Sequence, residues 1–177
     1  MDTAIVLFVQ KLVGVSPAID AIGVFCASVL IWVEAALIGV FWLLRRRERM
    51  LAALTAFIAA FAAWLVNQGI GELFFRPRPF AVNAAVLLLI NKSALEKSFP
   101  SDHAAAAFAL AFAVFMVNRR WGWTLLAMAA LISIARVYAG VHYPSDVLAG
   151  AAIGILCAYI IHRLVHKVLR TRHHRAG

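Results

Sequence analysis

Charged side chains are scarce in this 177-residue chain: Asp, Glu, Lys and Arg together make up 14% of it, whereas hydrophobic residues make up 64%. The mean hydropathy is +0.90. Soluble domains carry roughly 25% charged residues, so this shortage excludes an ordinary soluble domain. The composition instead indicates a protein that crosses a membrane several times.

Cysteine and acidic residues are also few. Cys26 and Cys157 each lie inside an apolar run, which predicts neither a disulfide framework nor a zinc site. Eight acidic against seventeen basic residues leave a net charge of +9. In a chain this apolar, the position of those charges says more about function than their sum. The start Met1-Asp2-Thr3 has no basic region or cleavage site, so no cleavable signal peptide is expected.

Long apolar runs, by contrast, are abundant. Five of them are long enough to be predicted as membrane-spanning helices, given that about 20 residues cross a bilayer. These runs cover residues 20–44, 50–70, 101–117, 121–137 and 145–165. Residues 3–15 have helical spacing but are too short to span, which predicts a helix at the interface or packed obliquely. The sequence has no internal repeat, so one domain over 1–177 is expected.

The expected fold is therefore an all-α polytopic bundle, with the five spans in residues 20–165 and a basic cytoplasmic tail over 166–177. Cytoplasmic loops carry an excess of Lys and Arg. If the arginine-rich loop 45–49 is cytoplasmic, alternation puts eleven basic residues on that side and six on the other. The charge distribution thus predicts that the second, less basic face is the outer one.

Three polar clusters converge on that outer face in this topology. One is Arg76-Pro77-Arg78-Pro79, after the second span; another is Pro100-Ser101-Asp102-His103, at the start of the third; the last runs from Arg136 through His142 to Asp146, between the fourth and fifth. Up to seventy residues separate them in sequence. Their meeting at one surface indicates a functional site rather than a random scatter of polar groups.

The residue types in these clusters suit an anionic substrate. A histidine four residues before an aspartate, as His142 is before Asp146, can be oriented by it and prepared as a base or nucleophile. Arginine offers a planar donor fork that matches phosphate. Ser101 stands where a helix begins, and free amides there favour an anion.

Each of these residues also has an ordinary structural interpretation. Arg78 and Arg136 could be interfacial side chains that reach toward water, although basic residues are disfavoured on the outer face. Ser101 could be a plain helix cap, and Asp146 and Asp102 could be first-turn acids. Glu34 lies within the first span, where it is interpreted as a structural residue paired with Asn67 or Gln68.

The clusters resemble the three-part signature of the type 2 phosphatidic acid phosphatase superfamily, which reads Lys-x6-Arg-Pro, Pro-Ser-Gly-His and Ser-Arg-x5-His-x3-Asp. The matching residues are Arg78-Pro79, Pro100-Ser101-Asp102-His103 and Arg136-x5-His142-x3-Asp146. Aspartate at position 102 and the run from Arg136 to Pro144 are similar to bacterial undecaprenyl-diphosphate phosphatases of that superfamily. The resemblance covers residues 71–146.

Two positions depart from the signature. Gly71 stands where the pattern has its lysine, and Ala135 stands where it has a serine. The first departure removes a phosphate-binding cation, and we hypothesise that Arg76, or Lys97 from the following loop, replaces it. The second removes one hydrogen bond.

The resemblance implies a role for each matching residue. His142 would be the nucleophile that forms a phosphohistidine, Asp146 would hold its imidazole in the right tautomer, and His103 would act as general acid and then base. Arg78, Arg136, Ser101 and the amides at the helix start would stabilise charge on the phosphate. Arg76 and Asp102 are two further candidates for the phosphate-binding site, Arg76 by the hypothesis above and Asp102 as an acid in the first turn of the same helix. No metal and no cofactor is expected, because the arginines supply positive charge.

The resemblance implies hydrolysis of undecaprenyl diphosphate to the monophosphate, which recycles the carrier lipid for the cell wall. It also implies a multi-pass protein of the bacterial inner (plasma) membrane, with the active site facing the periplasm or the outside. The expected partners are a phosphorylated lipid and the membrane, not nucleic acid. Segment 80–98, with the apolar run 84–90, is predicted to edge the lipid entrance. Alternatives are a phosphatase for phosphatidylglycerol phosphate or phosphatidic acid, a lipid A phosphotransferase, and a non-enzymatic lipid carrier or transporter.

Overall fold

The computed structural model describes residues 1–43 and 47–175, and within these ranges it contains eight helices and no strand. The helices are α1 (Asp2–Gln10), α2 (Pro17–Ser28), α3 (Leu30–Leu43), α4 (Arg47–Leu73), α5 (Pro79–Val82), α6 (Asp102–Val117), α7 (Arg119–Tyr138) and α8 (Pro144–Arg175). The all-α prediction is confirmed for this part of the chain. Residues 45 and 46 of the predicted arginine-rich loop lie outside the described residues.

The first predicted span is not one continuous helix. Helices α2 and α3 meet at Val29 with a bend of 52°. The carbonyl oxygen of Ala27, in the last turn of α2, accepts a hydrogen bond from Nη1 of Arg136 at 3.0 Å. Carbonyls at a helix end need a partner from outside the helix, and here an arginine of α7 supplies it. A break at this point could not be predicted from the apolar run alone.

Among the described residues, three helices are long and apolar enough to cross a membrane: Met50–Leu73, Arg119–Tyr138 and Pro144–Val168. The bent pair α2–α3 makes a fourth candidate if it crosses as one unit. Helix α6 has 16 residues and is therefore about 24 Å long, less than the roughly 30 Å of a hydrocarbon core. The protein is an integral membrane protein, and the fifth span stays a prediction.

Helix α6 lies at the centre of the bundle, between α4, α7 and α8. Its buried residues are mostly alanines, which allow close approach. On α8, Gly150 and Gly154 face this helix without a side chain. A Cβ added at Gly150 would lie 2.5 Å from the carbonyl oxygen of Ser101, and one at Gly154 would lie 2.2 Å from that of Ala105. The small residues therefore bring the start of α8 directly against the start of α6.

The ends of two helices differ from the prediction. Helix α8 does not stop near residue 165 but continues to Arg175, and residues 176–177 of the predicted tail lie outside the described residues. Helix α1 ends at Gln10, earlier than the predicted residue 15. The Gln10 side chain bonds the carbonyl of Tyr138 at 2.9 Å and the amide of Leu87 at 2.9 Å, so α1 is tied to the bundle. Its position at a membrane interface stays a prediction.

We expect Gly154→Ala to destabilise the protein by about 1–3 kcal/mol, because its Cβ would collide with the α6 backbone and force the helices apart. Thermal unfolding of the purified protein in detergent, followed by tryptophan fluorescence, measures the effect. Gly39→Ala is the matched control, since a Cβ at that helical glycine meets nothing within 4 Å. A Gly154→Ala protein as stable as the Gly39→Ala protein would contradict this packing.

Candidate active site

The three polar clusters meet where α4 and α7 end and α6 and α8 begin, as the predicted topology requires. The amide of Ser101 donates to the carbonyl of Asp146 at 3.1 Å. Nη1 of Arg78 lies 3.5 Å from Nε2 of His142. Arg78, Arg136, His142 and Asp146 are all buried. Ionisable groups are rarely buried in an apolar bundle without a role. The burial of these four at one end of the bundle therefore indicates a functional site.

His142 is held in a defined orientation by the loop that precedes α6. Its Nδ1 lies 2.8 Å from the backbone carbonyl oxygen of Ser98. A carbonyl can only accept a hydrogen bond, so Nδ1 carries the proton and Nε2 keeps its lone pair. Gly140, with a φ of +77°, makes the turn out of α7 that brings His142 to this position.

Asp146 does not orient His142 by the expected direct hydrogen bond. Its Oδ2 is 3.8 Å from Nδ1 of His142, beyond hydrogen-bonding distance. That oxygen instead accepts from the Ser98 hydroxyl at 2.5 Å and from the Tyr143 amide at 2.8 Å. Asp146 therefore fixes Ser98, and the carbonyl of Ser98 contacts the imidazole.

Ser98 was missed by the sequence analysis. It is fully buried and connects the aspartate to the histidine through two different atoms of one residue. The available signal was its position three residues before Ser101, within the loop that delivers the start of α6 to the site. The partner of the imidazole is a backbone carbonyl, and every residue has one, so the residue types in the sequence could not indicate it.

Arg78 places a positive charge beside the free nitrogen of His142. Its Nη1 also donates to the carbonyl of Val141 at 3.0 Å, and its Nη2 donates to Oε2 of Glu96 at 3.1 Å. Burial lowers the pKa of Arg78, and the charge of Glu96 raises it in part. Glu96 also accepts a hydrogen bond from Nζ of Lys92 at 3.0 Å. Lys92 and Arg78 together lower the pKa of the Glu96 carboxyl, although burial raises it.

Burial lowers the pKa of His142 to about 4, and the positive charges of Arg136 and Arg78 act in the same direction, while Asp146 raises it in part. The imidazole is therefore neutral above that pH. His103 lies in the first turn of α6, within electrostatic reach of Arg136 and His142. A neutral imidazole with a free Nε2 next to a guanidinium is suited to attack an anionic phosphorus centre.

Ser101 and Arg136 both have structural partners. The Ser101 hydroxyl accepts from the amide of Ala104 at 3.5 Å, which is the geometry of a helix N-cap. Arg136 bonds the Ala27 carbonyl through Nη1, and its Nε is buried without a hydrogen-bond partner. The unpartnered Nε is a donor that an anion could use.

Asp102 is the centre of a polar cluster. It accepts hydrogen bonds from Nδ2 of Asn67 at 3.1 Å, Nε2 of Gln68 at 3.3 Å and Nζ of Lys97 at 3.0 Å. The predicted pairing of these two amides with Glu34 is therefore wrong. Both carboxylate oxygens of Glu34 are buried without a hydrogen-bond partner.

The two cations proposed to replace the lysine absent at Gly71 have different surroundings. Lys97 fills the space beside Gly71, because a Cβ added there would lie 2.0 Å from Cδ and 3.2 Å from Nζ of Lys97. Arg76 instead donates to Oδ1 of Asp146 at 2.7 Å. The geometry therefore favours Lys97 as the substitute.

A cavity of about 500 Å³ opens next to Arg78. Its lining combines charged and polar side chains with apolar ones. The polar ones include Gln68, Lys97 and Asp102, and the apolar ones include Trp64 and Phe75. Such a combination fits a ligand with a charged head and an apolar tail. Within residues 1–43 and 47–175, no group of three or more His, Cys, Asp or Glu side chains is arranged to hold a metal ion.

Residues 51–170 match the sequence model of the PAP2 superfamily. The chain is 35% identical over 137 residues to the protein named bacitracin transport permease protein BcrC of Bacillus licheniformis, covering 77% of this chain and 67% of that one. It is 32% identical over 145 residues to undecaprenyl-diphosphatase BcrC of Bacillus subtilis, covering 82% and 74% of the two chains. The crystal structure of Aquifex aeolicus LpxE superimposes with a TM-score of 0.75 at 26% identity, over 92% of this chain and 94% of that one.

We expect Ser98→Ala to lower the free energy of unfolding by about 1–3 kcal/mol, because a buried carboxylate loses a hydrogen-bond donor. Thermal unfolding in detergent tests this. Ser93→Ala is the control, since the exposed Ser93 hydroxyl makes only a local contact with the Leu95 amide. Equal stability of the two variants would show that Ser98 does not hold Asp146.

Proposed function

Since the chain belongs to the PAP2 superfamily, we propose that this phosphatase hydrolyses undecaprenyl diphosphate to undecaprenyl phosphate and inorganic phosphate at the outer face of the membrane. One observation carries the proposal: the free Nε2 of His142 lies 3.5 Å from the guanidinium of Arg78, with Nδ1 committed to a carbonyl. A nucleophile and a charge that stabilises phosphoryl oxygens are thus side by side.

In the first step, the Nε2 lone pair of His142 attacks the terminal phosphorus, and the bond from phosphorus to the bridging oxygen breaks. His103 gives its proton to that oxygen, so that undecaprenyl phosphate leaves. In the second step, His103 takes a proton from water, the hydroxide attacks phosphorus, and the phosphorus–nitrogen bond breaks. Inorganic phosphate is released and His142 returns to its neutral form.

Four positive or donor groups would stabilise the oxygens of the transferred phosphoryl group. Arg78 is adjacent to Nε2 of His142, and Arg136 has an unpartnered buried Nε. Lys97 reaches toward the cavity, and the amides at the start of α6 follow Ser101. The carboxylates of Glu96 and Asp102 hold two of these cations until the substrate arrives.

The choice of lipid rests on the cavity and on the relatives. The apolar side chains of Trp64 and Phe75 in the cavity lining would contact a polyprenyl tail while the head reaches Arg78. The irregular segment from 83 to 100 has exposed Leu87 and Leu95 side chains, in keeping with the predicted role at the lipid entrance. The Bacillus subtilis relative is named as an undecaprenyl-diphosphatase.

Purified protein should release phosphate from undecaprenyl diphosphate faster than from phosphatidylglycerol phosphate, phosphatidic acid or lipid A, in the presence of a chelator. His142→Ala should reduce kcat by at least about 10³-fold, because no nucleophile remains. His162→Ala is the matched control and should keep wild-type turnover, since the ring of that histidine lies against the ring of His166, one turn further along α8 and outside the site. Quenched reactions of the wild type should contain an acid-labile phosphohistidine that His142→Ala lacks.

Several outcomes would overturn the proposal. Loss of activity in chelator, restored by a divalent metal, would exclude the metal-independent mechanism. Faster turnover of another lipid would replace the substrate assignment. No phosphate release from any of the four lipids would favour the carrier or transporter alternative.

Lys97→Ala should lower kcat/KM by roughly 10- to 100-fold, the effect of losing one charge-assisted contact to phosphate. Adding Gly71→Lys to that variant should restore much of the activity, because the new side chain enters the space that Lys97 vacates. Lys11→Ala is the control for loss of an exposed lysine. Failure of the double variant to exceed Lys97→Ala would show that Lys97 does not act as the substitute cation.

A further inference from the structure

The guanidinium of Arg76 donates hydrogen bonds to three acceptors. Its Nη1 donates to Oδ1 of Asp146 at 2.7 Å and to the hydroxyl of Ser145 at 2.7 Å, and its Nη2 donates to Oδ2 of Asp2 at 3.0 Å. The guanidinium also lies 3.8 Å from the centre of the Tyr143 ring. These contacts hold Arg76 on Oδ1 of Asp146, whereas Ser98 and the Tyr143 amide bond the other oxygen, Oδ2.

Asp2 joins the N-terminal helix to this group. Besides Arg76, its carboxylate accepts from the amide of Ser145 at 3.3 Å and from the Ser145 hydroxyl. Burial raises the pKa of Asp2, but the hydrogen bonds from Ser145 and Arg76 outweigh it, so the pKa is lowered overall. Asp2 is therefore a second carboxylate on the same guanidinium, and it comes from a part of the chain that the proposed mechanism does not use.

The two carboxylates share one positive charge. Asp146 is fully buried, whereas the side chains of Arg76 and Asp2 are 32% and 28% exposed. The charge of Arg76 offsets that of Asp146, and the charge of Asp2 in turn offsets that of Arg76. The net field at the imidazole of His142, 3.8 Å from Asp146, depends on how these three charges balance.

We infer that Asp2 and Arg76 are positioning residues that set the charge which Asp146 presents to His142, so that helix α1 is a working part of the active site. The inference rests on the proposed role of His142 as the nucleophile. It differs from the sequence prediction, in which Arg76 would bind phosphate directly, and it gives Asp2 a role.

Other charged groups also face His142 and stay constant in this comparison. They are Arg78 from the segment after α4, Arg136 from α7 and His103 from α6. Glu96 and Lys92 act from the loop before α6, through Arg78. Ser98 and the Tyr143 amide are the uncharged partners of Asp146. Changing the side chains of Arg76 and Asp2 leaves the contacts of the imidazole itself, with Arg78 and the Ser98 carbonyl, in place.

The two residues predict opposite shifts in the pH dependence of the enzyme. Without the charge of Arg76, Asp146 acts more strongly on His142 and raises its pKa, so the neutral nucleophile is lost at a higher pH. Without the negative charge of Asp2, the positive charge of Arg76 is less offset. It then offsets more of the charge of Asp146, so the pKa of His142 falls. The acid limb of kcat/KM reports this group in the free enzyme. The midpoint of that limb should move to higher pH in Arg76→Gln and to lower pH in Asp2→Asn, each by about half a pH unit or more.

The experiment measures kcat/KM against pH with undecaprenyl diphosphate for full-length protein in detergent. Arg76→Gln and Asp2→Asn keep polar groups of similar shape, and Arg76→Lys should retain the wild-type midpoint because it keeps the charge. In Arg76→Gln, adding Asp2→Asn should lower the midpoint again. Arg119→Gln is the control for loss of an arginine at the opposite end of the bundle, where it lies over Phe115.

A purely structural role would lower activity in both variants without opposite shifts, and equal or same-direction midpoints would overturn the inference. If Arg76→Gln does not fold, Asp2→Asn decides alone: a lower midpoint supports the inference and an unchanged one overturns it. Wild-type phosphate release that is lost in His142→Ala shows that the proposed function stands. A failure confined to the pH shifts is thereby distinguishable from a failure of that function.

Discussion

The buried carboxylate of Asp146 is the group on which the site depends. Asp146 has no exposed surface, and an ion without partners in such a place costs on the order of several kcal/mol. The groups that bond its carboxylate come from three places along the chain, namely the side chains of Arg76 and Ser98 and the backbone amide of Tyr143. Satisfying this one charge therefore sets the path of the segment after α4, of the loop before α6 and of the turn into α8.

Close packing of small residues makes that arrangement possible. Gly150 and Gly154 of α8 leave no room for a Cβ against α6, so the two helix starts lie directly side by side. The Ser101 amide can then donate to the carbonyl of Asp146. In a membrane, where apolar side chains gain little by leaving lipid, close backbone contact of this kind stabilises helix pairs. The close contact between α6 and α8 thus both stabilises the apolar bundle and positions the polar site.

The histidine is prepared by a two-part connection. Asp146 bonds the hydroxyl of Ser98, and the carbonyl of the same residue bonds Nδ1 of His142. The spacing of four residues between histidine and aspartate predicted their proximity correctly, since a distance of 3.8 Å separates them. The spacing could not predict that a third residue, Ser98, would contact both the aspartate and the histidine. A backbone carbonyl has the same chemistry at every position, so no pattern of side chains marks it.

The sequence by itself determined the membrane class, the helical fold and the meeting of three clusters at one end, because apolar runs of a given length and alternation of their ends require these. It also identified Arg78, His142 and Asp146 as neighbours. Only the tertiary structure decided which face of Asp146 each partner takes, that Lys97 occupies the gap at Gly71, and that Asp2 reaches Arg76. The first set follows from local composition and chain order, whereas the second depends on distances between residues that are far apart in the chain and that only packing brings together.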